Sequence, residues 1–163
     1  MFDNANNLTI NANDLPNLVN VTNAVGLFTD ATVNDTNNNI GKWNVNNIED
    51  MSEMFVNSTI TGTDLSQWNT ISSRRMDEMF RGANTFNADI SGWNVSNVTA
   101  MNEMFINATA FSQDLSEWNT ENVTQCENFS FDSGLSDEQH PTLGCFTSYS
   151  TTEEETPTDD TII

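Results

Sequence analysis

The chain has 163 residues, with four Lys or Arg against 24 Asp or Glu, so its formal net charge is −20. Such a polyanion repels phosphate groups, which argues against a nucleic-acid partner and against direct insertion into an anionic membrane. No apolar stretch approaches the ~18 residues of a membrane-spanning helix. We expect the charge to serve solubility, with attraction to a cation or a basic partner as the alternative.

The dominant feature of the sequence is a 25-residue repeat. Four tryptophans recur at intervals of 25 residues: Trp43, Trp68, Trp93 and Trp118. Methionines and phenylalanines keep the same register, and together with the four tryptophans they are predicted to form a core ladder: Met51, Met76, Met101, Met54, Met79, Met104, Phe55, Phe80 and Phe105. Repeats of this length bury their apolar side only against neighbouring copies, so equivalent side chains are expected to form columns.

In chain order, the repeat predicts four parts. Residues 1–42 are divergent N-terminal repeats, and residues 43–117 are three regular units. We name 43–67, 68–92 and 93–117 the first, second and third unit. Residues 118–146 are a closing repeat and cap, and residues 147–163 are an acidic, Thr-rich linker or tail of a composition typical of disorder.

The local pattern predicts one helix and one strand in each unit. Apolar residues from Val95 to Ala108 recur every three to four residues, as on one face of a short helix, and Ile90 to Val95 reads as a short strand. The expected fold is therefore an α/β repeat solenoid of leucine-rich-repeat type. Short parallel strands would lie on one face and short helices on the other, with an all-β solenoid as the alternative.

The unit from Phe86 to Ala108 reads Phe-x-x-Asp-Ile-Ser-x-Trp-Asn-Val-Ser-x-Val-x-x-Met-x-x-Met-Phe-x-x-Ala. This motif resembles the repeats of the BspA-like leucine-rich-repeat surface proteins over about residues 40–130. The resemblance implies a leucine-rich-repeat solenoid, exposure at the cell surface and adhesion or partner binding, without catalytic residues. The second unit departs from the motif at Ser73, where the other units carry an apolar residue.

Cys126 and Cys145 are the only cysteines. Their place near one end of a secreted repeat array suggests a disulfide that clamps the cap, with two buried free thiols as the alternative. His140 is the only histidine, and we favour an exposed cap loop over a nucleophile pair with Cys145. The sequence contains no catalytic set, so we expect a protein that is not an enzyme and needs no cofactor.

Three glutamates occupy one position of the repeat: Glu53, Glu78 and Glu103. Stacked units would place them about 5 Å apart. A Ca²⁺ ion bridging these carboxylates is one interpretation, and a hydrated surface is the one we favour.

Two further charged sets are expected to have structural roles. The first precedes each later tryptophan and is expected to cap turns: Asp64, Asp89 and Asp114. The second is Arg74 and Arg75, which the register places beside Glu49 and Asp50. Ion pairs between units are the interpretation that we favour over a basic binding spot.

Sequons for N-linked glycosylation are frequent, and each would be a surface site in a glycosylating host. The candidate sites are Asn7, Asn20, Asn34, Asn57, Asn97, Asn107, Asn122 and Asn128. Asn94 also lies in a sequon but follows a buried tryptophan, so we expect it to make structural hydrogen bonds.

These features predict an extracellular or cell-surface module for interaction or adhesion. Its partner would be a protein or glycan on another surface, or copies of the chain itself. The alternative function is a structural subunit that assembles end to end into a filament or surface layer, because the repeat begins in mid-unit.

Overall fold

The computed structural model describes residues 8–9 and 15–148. Asn7, most of the weak repeat before residue 15 and nearly all of the expected tail at 147–163 lie outside this part of the chain. Within the described residues, no helix has both the length and the apolar character required to cross a membrane.

Regular secondary structure is sparse. Three short strands, β1 (Leu8–Thr9), β2 (Thr32–Asn34) and β3 (Thr59–Thr61), form a parallel sheet in the order β1-β2-β3. Three 3₁₀ helices cover Ile40–Lys42, Asp137–Gln139 and Gly144–Ser148. In β2 and β3 the central residues Val33 and Ile60 pair with each other and point into the core, as alternation along a strand requires.

The expected α/β repeat solenoid is wrong. The described part of the chain contains no α-helix, and its three strands all lie at or before Thr61 instead of recurring in every unit. In place of the strand expected from Ile90 to Val95, the N–H of Trp93 donates to the carbonyl of Ile90 and closes a turn. Outside these strands, parallel pairing within the described residues is limited to single bridges, of which Asp50–Arg75 and Arg75–Ala100 are examples.

Consecutive turns replace the predicted helices. We name residues 51–57, 76–82 and 101–107 the turn segments, together with their equivalents 24–30 and 126–132. In the first unit, the N–H groups of Met54 and Val56 donate to carbonyls three residues back. The N–H groups of Met51, Glu53 and Phe55 donate instead to the second unit, over 2.8–3.0 Å. Alternate N–H groups thus serve the turn and the neighbouring unit, a division that an α-helix does not allow.

Left-handed backbone conformations prevent helix formation at the same place. Each turn segment has positive φ at its third and seventh residues, as at Glu103 (54°) and Asn107 (58°) in the third unit. Repeated left-handed residues are incompatible with a right-handed helix. The apolar spacing of three to four residues therefore arises from two successive turns.

Equivalent side chains of successive units nevertheless contact each other. The ring centroids of Trp68 and Trp93 are 5.9 Å apart and the rings are nearly parallel, and each indole N–H donates to a backbone carbonyl 28 residues earlier. A phenylalanine column with centroid separations of 5.3–5.7 Å contains Phe28, Phe55, Phe80 and Phe105. All members of the expected core ladder are buried except Trp43, which is half-buried.

The loop before the 3₁₀ helix Ile40–Lys42 is two residues longer than the equivalent loops of the other units, and a buried carboxylate fixes its conformation. Asp35 is fully buried, and its two carboxylate oxygens accept the N–H groups of Asn39 (2.7 Å) and Ile40 (2.9 Å). The hydroxyl of Thr63 donates to the same carboxylate over 3.3 Å. These bonds satisfy an otherwise costly buried charge and fix the loop before the 3₁₀ helix Ile40–Lys42.

The cap covers the C-terminal end of the hydrophobic core. Phe146 packs edge-on against Phe129 with 4.8 Å between the ring centroids, and the N–H of Leu115 donates to the carbonyl of Gln139. Gly144 has φ of +65°, and a Cβ there would run into the carbonyl oxygen of Thr120. The glycine is therefore required for the close approach of the cap to the closing repeat.

The expected disulfide between Cys126 and Cys145 is confirmed, with 6.2 Å between the Cα atoms. The bond joins the last turn segment to the final 3₁₀ helix. It also leaves Cys145 without a thiol, so this residue cannot form the nucleophile pair with His140. The His140 ring instead contacts the Ser130 hydroxyl and the carbonyl of Ser136.

Candidate interaction surface

Two columns of polar side chains flank the buried tryptophans on the surface. In the first column a carboxylate oxygen of each aspartate accepts the N–H two residues later, over 2.9–3.0 Å: Asp64, Asp89 and Asp114. The expected turn-capping bonds are therefore present. The residues are exposed, and each keeps carboxylate oxygen capacity for a partner.

The second column consists of the asparagines that follow the tryptophans. Each side-chain oxygen accepts the N–H two residues later, over 3.1–3.2 Å: Asn44, Asn69, Asn94 and Asn119. Asn94 thus makes the structural bond expected of it. Such bonds restrict side-chain rotation, so the column presents amide groups at fixed positions. We call these aspartates and asparagines together the Asp/Asn columns.

Hydrogen bonds keep two of the aspartates ionised to lower pH. The side-chain hydroxyl of Ser91, followed by its N–H, lowers the pKa of Asp89, and Ser116 lowers the pKa of Asp114 mainly through its N–H. A lowered pKa means that the stabilising bonds are complete above the unfolded-state pKa and are lost as the pH falls through the folded-state value.

Replacing Ser91 by alanine is expected to raise the pKa of Asp89 towards its ordinary value. The variant loses the hydroxyl bond of 2.7 Å but keeps the N–H bond of 3.0 Å. The measurement is an NMR titration of the Asp89 carboxyl carbon, with Asp114 of the same variant as the internal control. An unchanged Asp89 pKa would contradict the assigned cause.

The glutamate column is partly neutralised by arginine. Arg81 contacts Glu78 at 2.8 Å and Glu103 at 3.7 Å, and the hydrogen bond to Glu78 is the largest cause of its raised pKa. Over the described ranges, no group of three or more His, Cys, Asp or Glu side chains could hold a metal ion. The position of Glu53, Glu78 and Glu103 therefore provides no observation in favour of the Ca²⁺ interpretation.

Two more arginines pair across units. Arg74 lies 3.8 Å from Glu49, and Arg75 lies 3.9 Å from Asp50, as the register predicts. Within its own unit, Arg75 also lies 2.8 Å from the buried Asp77. The two pairs across units are on the surface and contribute about 0–1 kcal/mol each, so they neutralise local charge more than they stabilise the fold.

The described sequon asparagines are all exposed: Asn20, Asn34, Asn57, Asn97, Asn107, Asn122 and Asn128. Three of them have amide groups in use. Asn97 and Asn122 each donate to a carbonyl of the preceding unit over 2.8 Å, and Asn57 donates to Asp30. A glycan on Asn97 or Asn122 would remove a donor hydrogen from the amide that makes this contact.

Two structurally important polar residues do not follow from the sequence pattern. Ser73 replaces an apolar residue but is fully buried, and its hydroxyl donates to the carbonyl of Ile48 in the first unit. Asp35 lies in an asparagine-rich stretch, and nothing in that stretch indicates that its carboxylate is buried. A signal for Ser73 exists, since a hydroxyl at a core position of the repeat must find a carbonyl across the unit boundary.

A family model matches most of the chain. The family described as "Mycoplasma protein of unknown function, DUF285" matches residues 22–140. No curated protein and no solved structure matches the chain. The matched range begins before the turn segment 24–30 and ends at His140 in the cap.

Proposed function

Since the chain belongs to the DUF285 family, whose description names no activity, we propose from its surface that it is a non-catalytic interaction module outside the cell. The Asp/Asn columns would bind a protein partner that presents basic side chains. The finer resemblance to BspA-like surface proteins supports the same proposal, because that family implies adhesion or partner binding.

One observation carries the proposal. The aspartates of the columns are exposed and oriented by hydrogen bonds, and the ion pairs between described residues involve none of Asp64, Asp89 and Asp114. Regularly spaced carboxylates without internal counter-charges attract a basic surface and fix its register. The disulfide supports an extracellular location, since disulfides persist in oxidising compartments.

The first test is the binding of a decalysine peptide to the protein by calorimetry at two salt concentrations. Changing all three aspartates of the columns to asparagine is expected to weaken binding about tenfold, because three exposed ion pairs are lost. Higher salt should weaken binding to the unmodified protein more than to this triple variant.

The matched control removes three negative charges elsewhere, by Asp30→Asn, Glu49→Gln and Glu53→Gln. This control should bind the peptide nearly as well as the unmodified protein. Equal weakening of both triple variants would contradict a defined surface and leave only general attraction to a polyanion. Binding to a neutral glycan that neither variant affects would favour a glycan partner instead.

A further inference from the structure

The last turn segment, 126–132, repeats the backbone geometry of the interior segments. Positive φ occurs at Asn128 (50°) and Asp132 (55°), as it does at Glu103 (54°) and Asn107 (58°) in the third unit. The local hydrogen bonds recur as well, since the N–H of Phe131 donates to the carbonyl three residues back. The segment therefore has the same backbone conformation as the interior segments, each of which pairs with the segment that follows it.

Its outward N–H groups have no acceptor in the part of the chain that the structure describes. In the third unit, the N–H groups of Glu103, Phe105 and Asn107 donate to carbonyls of the last segment over 2.8–3.0 Å. The equivalent donors are the N–H groups of Asn128, Ser130 and Asp132, which we name the C-terminal edge. Free donors at alternate residues are the feature by which a sheet edge accepts an added backbone.

The cap covers the apolar core beside this edge and its His140 contacts the Ser130 hydroxyl, while Asn128 and Asp132 stay exposed. Phe146 occupies the space beside Phe129, whereas Phe131 is 64% exposed. A complete further unit would compete with Phe146 for this space. A single extended peptide segment does not require the space, because it needs only the three donors and the exposed surface around Phe131.

Charge selects between a second copy and a different partner. All Lys and Arg residues of the chain lie at or before Arg81, so the half that contains the C-terminal edge has no Lys or Arg side chain. Glu127 and Asp132 are exposed on the last segment itself. A second copy with net charge −20 would be repelled, whereas a basic segment would be attracted.

We propose that the C-terminal edge binds an extended, basic peptide segment of a partner protein. Carbonyls at alternate residues of that segment accept the N–H groups of Asn128, Ser130 and Asp132, and its Lys or Arg side chains face Glu127 and Asp132. This inference rests on the proposed interaction role and names the partner's chemistry and a second contact surface for it.

Amide hydrogen exchange followed by NMR tests the inference on the full chain. The probe is a ten-residue peptide of alternating lysine and threonine, with alternating glutamine and threonine as the neutral control. We expect the lysine peptide to slow exchange of the three edge amides at least about tenfold, while the amides of Glu103 and Asn107 are already protected without it. The glutamine peptide should protect them less at equal concentration.

A pair of substitutions at one position isolates the backbone donor. Ser130→Pro and Ser130→Ala both lose the hydroxyl contact with His140, but only proline removes the N–H. The proline variant should bind the lysine peptide about fivefold more weakly than the alanine variant, as expected for one hydrogen bond. If the proline variant does not fold, Glu127→Gln with Asp132→Asn should weaken binding about threefold.

The outcomes separate this inference from the proposed function. If the lysine peptide binds but the edge amides stay in fast exchange, the inference is overturned. If this binding is then lost when the aspartates of the Asp/Asn columns are changed, the proposed function still holds. Absence of lysine-peptide binding anywhere contradicts both. Protection of the edge amides that rises with protein concentration alone would assign the edge to a second copy, the end-to-end assembly predicted as an alternative, and also overturns the inference.

Discussion

Replacing Phe105 by alanine is expected to lower the free energy of unfolding by about 3–5 kcal/mol. The Phe105 ring is fully buried and lies 5.7 Å from Phe80, 4.2 Å from Phe111 and 5.3 Å from Phe129, measured between centroids. Truncation would leave a cavity bordered by three units, and surrounding turns held by hydrogen bonds cannot collapse freely into it. Urea unfolding followed by tryptophan fluorescence measures the loss.

The matched control is Phe131→Ala, the same substitution at a phenylalanine on the surface of the last turn segment. Phe131 is 64% exposed, so its truncation should change the free energy of unfolding by no more than about 0.5 kcal/mol. Similar losses for Phe105→Ala and Phe131→Ala would show that the aromatic column does not carry the stability of the fold.

Removing the disulfide, by changing both Cys126 and Cys145 to alanine, is expected to cost about 3 kcal/mol. The two cysteines are 19 residues apart, and the bond limits the freedom of that loop in the unfolded chain. It also holds the final 3₁₀ helix Gly144–Ser148 against the last turn segment. Urea unfolding of the double variant and of the unmodified protein, each with and without reductant, measures the effect.

Reductant provides the internal control for the disulfide. It should destabilise the unmodified protein by nearly as much as the double substitution does, and it should leave the double variant unchanged. Hydrogen exchange at the backbone N–H of Cys145, and at the same position in the variant, reports whether the cap opens alone, since this group donates to the carbonyl of Val123. Equal stability with and without the bond would contradict its clamping role.

The sequence is sufficient to predict which residues meet across units. The 25-residue interval places Trp68 next to Trp93, and the two indoles are in contact. The interval also predicts the approach of Arg74 to Glu49. Both contacts depend only on register, which a periodic sequence specifies without reference to the backbone path inside each unit. The disulfide between Cys126 and Cys145 is predicted on other grounds, because these are the only cysteines and both lie near one end of the repeat array.

The path inside each unit cannot be derived from apolar spacing. Spacings of three and four residues satisfy both an α-helix and two successive turns, so the helix predicted from Val95 to Ala108 is wrong. Glu53, Glu78 and Glu103 have positive φ, which glutamate rarely adopts. Their identity therefore gives no indication that turns replace the helix. The informative signal lies in the divergent copies, where Gly26 and Asn128 occupy the same position.

The candidate surface is predictable in its residues but not in its organisation. The aspartate and asparagine ladders are visible in the sequence, and their turn-capping role follows from residue type. The free donors of the C-terminal edge are not predictable. They depend on which N–H groups the turns use internally, and a helix over the same residues would leave none of them facing outwards.

The alternating use of N–H groups in the turn segments limits how the length of such a chain can change during evolution. After loss of 25 residues, the two units brought together still pair each outward backbone N–H group of one turn segment with a carbonyl of the next. After loss of 24 or 26 residues, none of these N–H groups would face its carbonyl. The interval of 27 between Phe28 and Phe55 shows the permitted exception, because its two additional residues lie in the loop that Asp35 holds. Recombination between copies would therefore yield folded descendants mainly by adding or deleting whole units.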